Sequence, residues 1–137
     1  MVNIIVITHG EFGAYLVEAA ESIVGRQAEG VRVVSISPRL SVADLRRRIE
    51  GAMEQVIGEG GVLALIDMPG GTPGNLSFPV IKDRTDVEML SGVNLYMLIS
   101  AFSHRASLSL RALADKVMAD GRKSILDVRK LFFLGAR

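Results

Sequence analysis

Asn3-Ile4-Ile5-Val6-Ile7-Thr8 opens the chain with a run that is β-branched and apolar on both faces. A strand of that kind cannot leave one side to water, so it reads as a buried strand of a parallel sheet. Val62 to Ile66 repeats the signature and stops at Asp67. Val31 to Ile36 and Asp86 to Leu90 are two more strand-like runs, with helix-period segments between them. Strands alternating with helices at this spacing predict an α/β fold with an open parallel sheet and helices on both faces.

The helical segments carry their own punctuation. Phe12, Leu16, Ala19 and Ile23 recur at three- and four-residue steps, and Gly25 is a stop signal. Val42, Leu45, Ile49, Ala52 and Val56 mark a second stripe, opened by Ser41 and Asp44 in a capping-box-like pair. Thr72 reads as an N-cap with Pro73 in the first helical position, ahead of Leu76, Phe78 and Ile81. Leu95, Leu98, Ile99 and Phe102 outline a fourth helix. Leu110, Leu113 and Val117 outline a fifth, ending at Gly121. Ser124 to Val128 reads as a final strand, and Phe132-Phe133-Leu134 is apolar enough to call for packing on the domain or on a second subunit. With no repeat and no linker, residues 1–137 read as one domain, with a core over 2–128 and an apolar, basic tail over 129–137.

Composition narrows the function. Sixteen Lys and Arg against fifteen Asp and Glu give a net charge of +1, which offers no case for a nucleic-acid binder. The absence of cysteine removes disulfides, thiolate metal sites and cysteine nucleophiles, and two histidines are too few for a His-rich metal cage. No apolar run is long enough to cross a bilayer, and Met1-Val2-Asn3 leads straight into the first strand without a signal-like region. A cytoplasmic chain without membrane insertion is the expectation.

Two polar residues end central apolar strands: His9 after the first and Asp67 after the third. Open α/β sheets bind ligands beyond the carboxyl ends of their strands, where the strand order reverses. In the common order 2-1-3-4, the first and third strands are neighbours at that point, and His9 faces Asp67 across it. A carboxylate that accepts the Nδ1 hydrogen fixes the imidazole tautomer and leaves Nε2 as a nucleophile. Gly70, Gly71 and Gly74 allow backbone N–H groups to approach an anion, and Thr72 opens a helix whose N-terminus favours phosphate. Together these point to phosphoryl transfer through a phosphohistidine, with no metal or cofactor required.

Each part also has a plainer reading. A histidine after a strand is often a turn residue, an aspartate there caps the turn, and loop glycines serve turn geometry. Convergence at one sheet edge favours the chemical reading. His104 reads as a solvated helix-end residue, Arg46-Arg47-Arg48 as a wet helix face, and Arg39 as a cation within possible reach of the same edge.

Three segments carry a family resemblance. Ile5-Val6-Ile7-Thr8-His9-Gly10, followed by Leu16, Ala19 and Ala20, resembles the opening of mannose-class enzyme IIA domains of the phosphoenolpyruvate-dependent sugar phosphotransferase system (PTS). Asp67-Met68-Pro69-Gly70-Gly71-Thr72-Pro73-Gly74-Asn75 is similar to that family's second motif, and Ser91-Gly92-Val93-Asn94-Leu95-Tyr96-Met97-Leu98 to a third. The resemblance implies that His9 carries the phosphoryl group on Nε2, that Asp67 orients it, and that Thr72 stands where a hydroxyl contacts the phosphoryl group; Gly10, Gly70 and Gly71 join Thr72 as the expected phosphoryl-binding residues. It implies HPr as donor and an enzyme IIB domain as acceptor. It also implies a four-stranded parallel sheet of order 2-1-3-4, with a fifth antiparallel strand exchanged in a homodimer. Ser124 to Val128 is the candidate for that strand. Tyr96, where Pro is frequent, together with Pro69 and Gly74, departs from the pattern on the IIB-facing rim.

Sugar uptake is thus the leading expectation. The alternative is a regulatory IIA-like protein whose His9 phosphorylation state controls binding to a target, since a phosphoryl group adds nearly two negative charges. A non-catalytic module holding a small anion at the same edge is a third reading. The phosphotransfer subunit that serves dihydroxyacetone kinase shares an early histidine, but Gly70-Gly71-Thr72-Pro73 fits the sugar system better.

Overall fold

The computed structural model describes residues 1–135; of Leu134 and Gly135 only the backbone is considered, and Ala136 and Arg137 lie outside the described residues. The elements run β1 (Asn3–His9), α1 (Phe12–Val24), β2 (Val31–Ile36), α2 (Val42–Val56), β3 (Val62–Ile66), α3 (Thr72–Ile81), β4 (Val87–Leu90), α4 (Leu95–His104), α5 (Leu110–Lys123) and α6 (Val128–Gly135). The sheet has four strands in the order β2-β1-β3-β4, and each adjacent pair is parallel.

Side chains two apart share a sheet face, and this parity divides the core in two. Ile4, Val6, Leu63 and Leu65 point to one face, under Val17 and Ala20 of α1, Leu98 and Ala101 of α4, and Leu113 and Val117 of α5. Ile5, Ile7, Val62, Ala64 and Ile66 point to the other, under Leu45, Ile49, Met53 and Val56 of α2 and Leu76 and Ile81 of α3. Every residue of β3 is buried, which is why that strand shows no polar alternation.

The split follows from the hand of the crossovers. A strand–helix–parallel strand unit is right-handed, so the face its helix covers depends on the direction in which the chain moves across the sheet. From β1 the chain moves to β2 with α1 on the first face. From β2 it passes over β1 to β3 and on to β4, in the opposite direction, with α2 and α3 on the second face. The loops after β1 and β3 therefore part to opposite faces and leave a crevice between them, which holds His9 and Asp67.

The other end of the sheet is closed by a residue that the sequence pattern does not reveal. Arg105, just after α4, is almost completely buried. Its Nε donates to Gln27 Oε1 at 3.0 Å, Nη1 to the Gly30 carbonyl at 3.2 Å and Nη2 to the Glu29 carbonyl at 2.6 Å, while its own carbonyl accepts the Val2 N–H at 3.0 Å. Burial pushes the guanidinium pKa down from its ordinary value. The charge is held by carbonyl dipoles without a carboxylate, and it joins the starts of β1 and β2 to the end of α4.

The structure corrects several sequence expectations. Phe12 and Ile23 are exposed, because α1 is rotated so that Gly13, Val17 and Ala20 face the sheet. Gly13 is small enough to sit against Thr8, and this sets the rotation. Val42 and Phe78 are exposed as well. Gly71, not Thr72, is the N-cap of α3. Within the single chain the segment expected to form an exchanged fifth strand is unpaired: residues 125–127 have no regular structure, and Val128 is already the first residue of α6. A strand needs a ladder partner, and the expectation places that partner in a second subunit. Of the described tail residues, Leu131, Phe132 and Phe133 are all more than half exposed rather than packed on the domain.

Candidate functional site

His9 is the last residue of β1, and Asp67 follows β3 directly. The β1–β3 register ends at Ile7 opposite Ile66, so both side chains emerge at the carboxyl edge of adjacent strands. His9 Nδ1 lies 2.7 Å from Asp67 Oδ2, and the same oxygen accepts the His9 backbone N–H at 3.0 Å. Asp67 Oδ1 accepts the Met68 N–H at 2.9 Å. A carboxylate only accepts, so Nδ1 carries the hydrogen, and in the neutral ring Nε2 is the atom with the lone pair.

The two side chains are unequally placed. The His9 side chain is 51% exposed and that of Asp67 is 15% exposed. Burial pushes the Asp67 carboxyl up. The His9 backbone N–H, the His9 imidazole and the Met68 N–H together outweigh that push and hold its pKa below the ordinary 3.8. The acid is thus charged and fixed, while the ring it holds is open to a partner.

The Asp67 main chain is fixed too. Its carbonyl accepts the Gly92 N–H at 3.0 Å, and the Ile66 carbonyl accepts the Val93 N–H at 3.0 Å. Gly92 has φ +78°, a conformation that L side chains rarely adopt. The Ser91-Gly92-Val93 turn thereby clamps the end of β3.

Gly71 faces the imidazole. A Cβ added there would lie 2.8 Å from His9 Cε1 and 3.3 Å from Nε2, so only glycine leaves the ring this position. The first backbone bond of α3 runs from the Asn75 N–H to the Gly71 carbonyl at 2.9 Å. The Thr72 and Gly74 amides precede it at the helix N-terminus, where donors are left for an anion, and Pro73 has none to offer. Gly74 is required for the loop to fold back, because a Cβ there would come within 2.5 Å of the Pro69 carbonyl oxygen.

The structure thus brings His9, Asp67 and Gly71 together, with Thr72 exposed as the first residue of α3. Gly70 has open space where a side chain would be. Gly10 plays a different part from the one expected: its N–H is already given to the Ile36 carbonyl at 2.9 Å, and its φ of +52° turns the chain from β1 into α1. Arg39 is exposed, and no bond joins its guanidinium to His9 or Asp67 among the described residues. His104 is half-buried rather than solvated, with Nδ1 2.9 Å from the Ser100 carbonyl oxygen. Among the described residues, no group of three or more His, Asp or Glu side chains could hold a metal ion, and no helix is long and apolar enough to cross a membrane.

This fold and this pair have counterparts among known proteins. The sequence profile of the EIIA-man family, described as "PTS system fructose IIA component", matches residues 3–118. The chain belongs to this family and is a IIA-type component of the sugar phosphotransferase system. The fructose-specific EIIA component of Bacillus subtilis strain 168 is 29% identical over 124 residues, which is 90% of this chain and 84% of that protein. The mannose-specific EIIAB component of Escherichia coli K12 is 29% identical over 104 residues, covering 76% of this chain but only 32% of that longer protein. The crystal structure of a phosphotransferase system component EIIA from Streptococcus agalactiae superposes with a TM-score of 0.83 at 32% identity, over 95% of this chain and 99% of that one. The mannose/sorbose-specific IIA subunit from Enterococcus faecalis, at 22% identity and a TM-score of 0.79, shares the fold.

Proposed function

We propose that this chain is a cytoplasmic phosphocarrier, a single IIA-like domain over residues 1–137. It takes a phosphoryl group from phospho-HPr onto His9 Nε2 and passes it to an enzyme IIB component for sugar uptake. The observation that carries this is the 2.7 Å contact between His9 Nδ1 and Asp67 Oδ2, which turns the Nε2 edge of a half-exposed ring toward Gly71.

The chemistry is a displacement at phosphorus. The Nε2 lone pair forms the new N–P bond as the N–P bond of the donor phosphohistidine breaks, and the donor imidazole leaves with that electron pair. The His9 ring keeps its Nδ1 hydrogen and becomes more positive as Nε2 gives up its lone pair. Asp67, charged and fixed, faces that developing charge. The Thr72 hydroxyl and the amides at the α3 N-terminus face the phosphoryl oxygens. In the onward step a ring that retains its Nδ1 hydrogen leaves as a neutral imidazole, so the same carboxylate serves acceptance and release.

Incubation with phosphoenolpyruvate, enzyme I and HPr, read by intact mass, tests this. Wild type gains one acid-labile phosphoryl group and His9→Ala gains none. Labelling that survives the substitution refutes the assignment. The regulatory reading draws on the exposed rim residues Met68 and Tyr96, which stand open to a different partner. Pull-downs with the free and phosphorylated forms separate the two: IIB supports transport, and a regulator held by one form supports the alternative.

A homodimer forms part of the proposal. The outer edge of β4 is unpaired, and the nearby Ile125 and Leu126 are exposed. Sedimentation at micromolar concentration should give twice the chain mass of 14.8 kDa; a monomer removes this part.

A further inference from the structure

The turn that carries His9 is only two residues long, between the end of β1 and the start of α1 at Phe12. It is held in an unusual way. Glu11, at the N-cap of α1, makes no side-chain capping bond. The oxygen comes instead from Thr8, inside β1: Thr8 Oγ1 accepts the Gly13 N–H at 2.8 Å. Thr8 is completely buried, and of the three polar residues of β1 (Asn3, Thr8 and His9) it is the one whose side chain is fully enclosed.

The bond closes a ring around His9. On one side of the histidine the Thr8 side chain is locked to the first turn of α1. On the other the Gly10 N–H is given to the Ile36 carbonyl. The His9 N–H goes to Asp67 Oδ2. Three consecutive residues are thus each tied to a different element, and the Cα–Cβ direction of His9 follows from all three. Without the Thr8 bond, the Gly13 N–H is buried without an acceptor and α1 loses its only side-chain cap. The first turn of α1 then shifts or frays, and the histidine moves with it.

We propose that Thr8 is a positioning residue for phosphoryl transfer. Its hydroxyl aims the His9 imidazole by capping α1 from within the strand, and so keeps Nδ1 on Asp67 and Nε2 toward the phosphoryl group. The proposal rests on His9 being the phosphoryl acceptor. Small errors in the direction of a nucleophile cost large factors in rate, up to about 10²-fold for displacements near 1 Å.

The test uses Thr8→Val, which keeps the branched shape and loses the acceptor, and Thr8→Ser, which keeps the hydroxyl and loses the methyl. Phosphorylation by phospho-HPr is followed by mass, and the His9 tautomer is read in the unphosphorylated proteins from ¹⁵N imidazole shifts. Thr8→Val should slow labelling by roughly tenfold or more, through kcat with KM for phospho-HPr little changed, and should raise the share of the Nε2–H tautomer. Thr8→Ser should label within about twofold of wild type with the wild-type tautomer, because the bond it makes is the same. A folded Thr8→Val protein with wild-type rate and tautomer overturns the proposal. So does a Thr8→Ser protein as slow as any hydroxyl-free variant, which would place the effect in methyl packing; this holds even if Thr8→Val fails to fold. If wild type itself is not labelled at His9, the phosphocarrier reading fails, while the tautomer measurement still reports on the Thr8 contact.

Discussion

A single oxygen of Asp67, Oδ2, receives both hydrogens that His9 directs toward it, one from the backbone at 3.0 Å and one from Nδ1 at 2.7 Å. The carboxylate therefore fixes where the histidine begins and where its ring points. Bonds to a charged acceptor are each worth about 1.5–3 kcal/mol, enough to keep the ring in one orientation although half of it is open to water.

Asp67→Ala should slow phosphorylation of His9 by roughly 10²-fold or more, as loss of an orienting carboxylate does elsewhere. Both the tautomer lock and the charge that faces the ring are lost. A time course by intact mass checks this, and an unchanged rate removes Asp67 from the mechanism.

Acid should weaken the same contact. The Asp67 pKa is lowered in the folded protein from an ordinary 3.8. The stability it contributes is therefore present above 3.8 and is lost as pH falls through the lower folded value. Urea midpoints of wild type and Asp67→Ala should differ by a constant amount from neutral pH down to the carboxylate range and converge below it. A gap that widens on acidification contradicts this.

Gly71→Ala separates stability from chemistry. Gly71 has φ −88°, which any residue adopts, so the backbone accepts alanine without strain. The backbone gain of about 0.4–1 kcal/mol is then offset by the loosened His9–Asp67 bond, so the chain should fold with little net change in stability. The new Cβ nonetheless displaces the imidazole, 2.8 Å away at Cε1, and the labelling rate should fall by roughly tenfold or more. Unchanged labelling shows that the ring has room that the geometry denies it.

Arg105→Met should do the reverse. It removes the donors to the Glu29 carbonyl and the Gln27 side chain at the far end of the sheet, and leaves the Gly30 carbonyl with the Ile4 N–H alone, at a cost of about 2–3 kcal/mol read by urea denaturation. Labelling of His9 at a temperature where the variant is folded should match wild type. A stable variant means that water replaces the guanidinium without loss.

The fold was legible where burial is uniform along an element. β1 and β3 are apolar on both faces because helices cover both, and their positions follow from composition alone. Amphipathic elements were harder to read. In α1 the apolar residues are broad enough to fit two rotations, and the contact between Gly13 and Thr8 selects the one that leaves Phe12 outside. Ile125 to Asp127 reads as a strand but is unpaired in the single chain, because a ladder cannot be read from one of its sides. Arg105 and Thr8 escaped notice because nothing local marks a polar residue whose partners lie far away or within a covered turn.

The sequence by itself determined that four strands, two of them buried on both faces, alternate with helices, and that His9 and Asp67 each stand at the end of a buried one. Local periodicity encodes which face of an element meets the core, so this much needs only neighbours in the chain. Tertiary structure alone decided that two residues 58 positions apart are joined by two hydrogen bonds, that Gly71 closes on the ring, and that a buried guanidinium holds the opposite edge. Those distances are set by strand register and by the packing of helices on two faces, and both come from the whole core closing at once rather than from any segment of it.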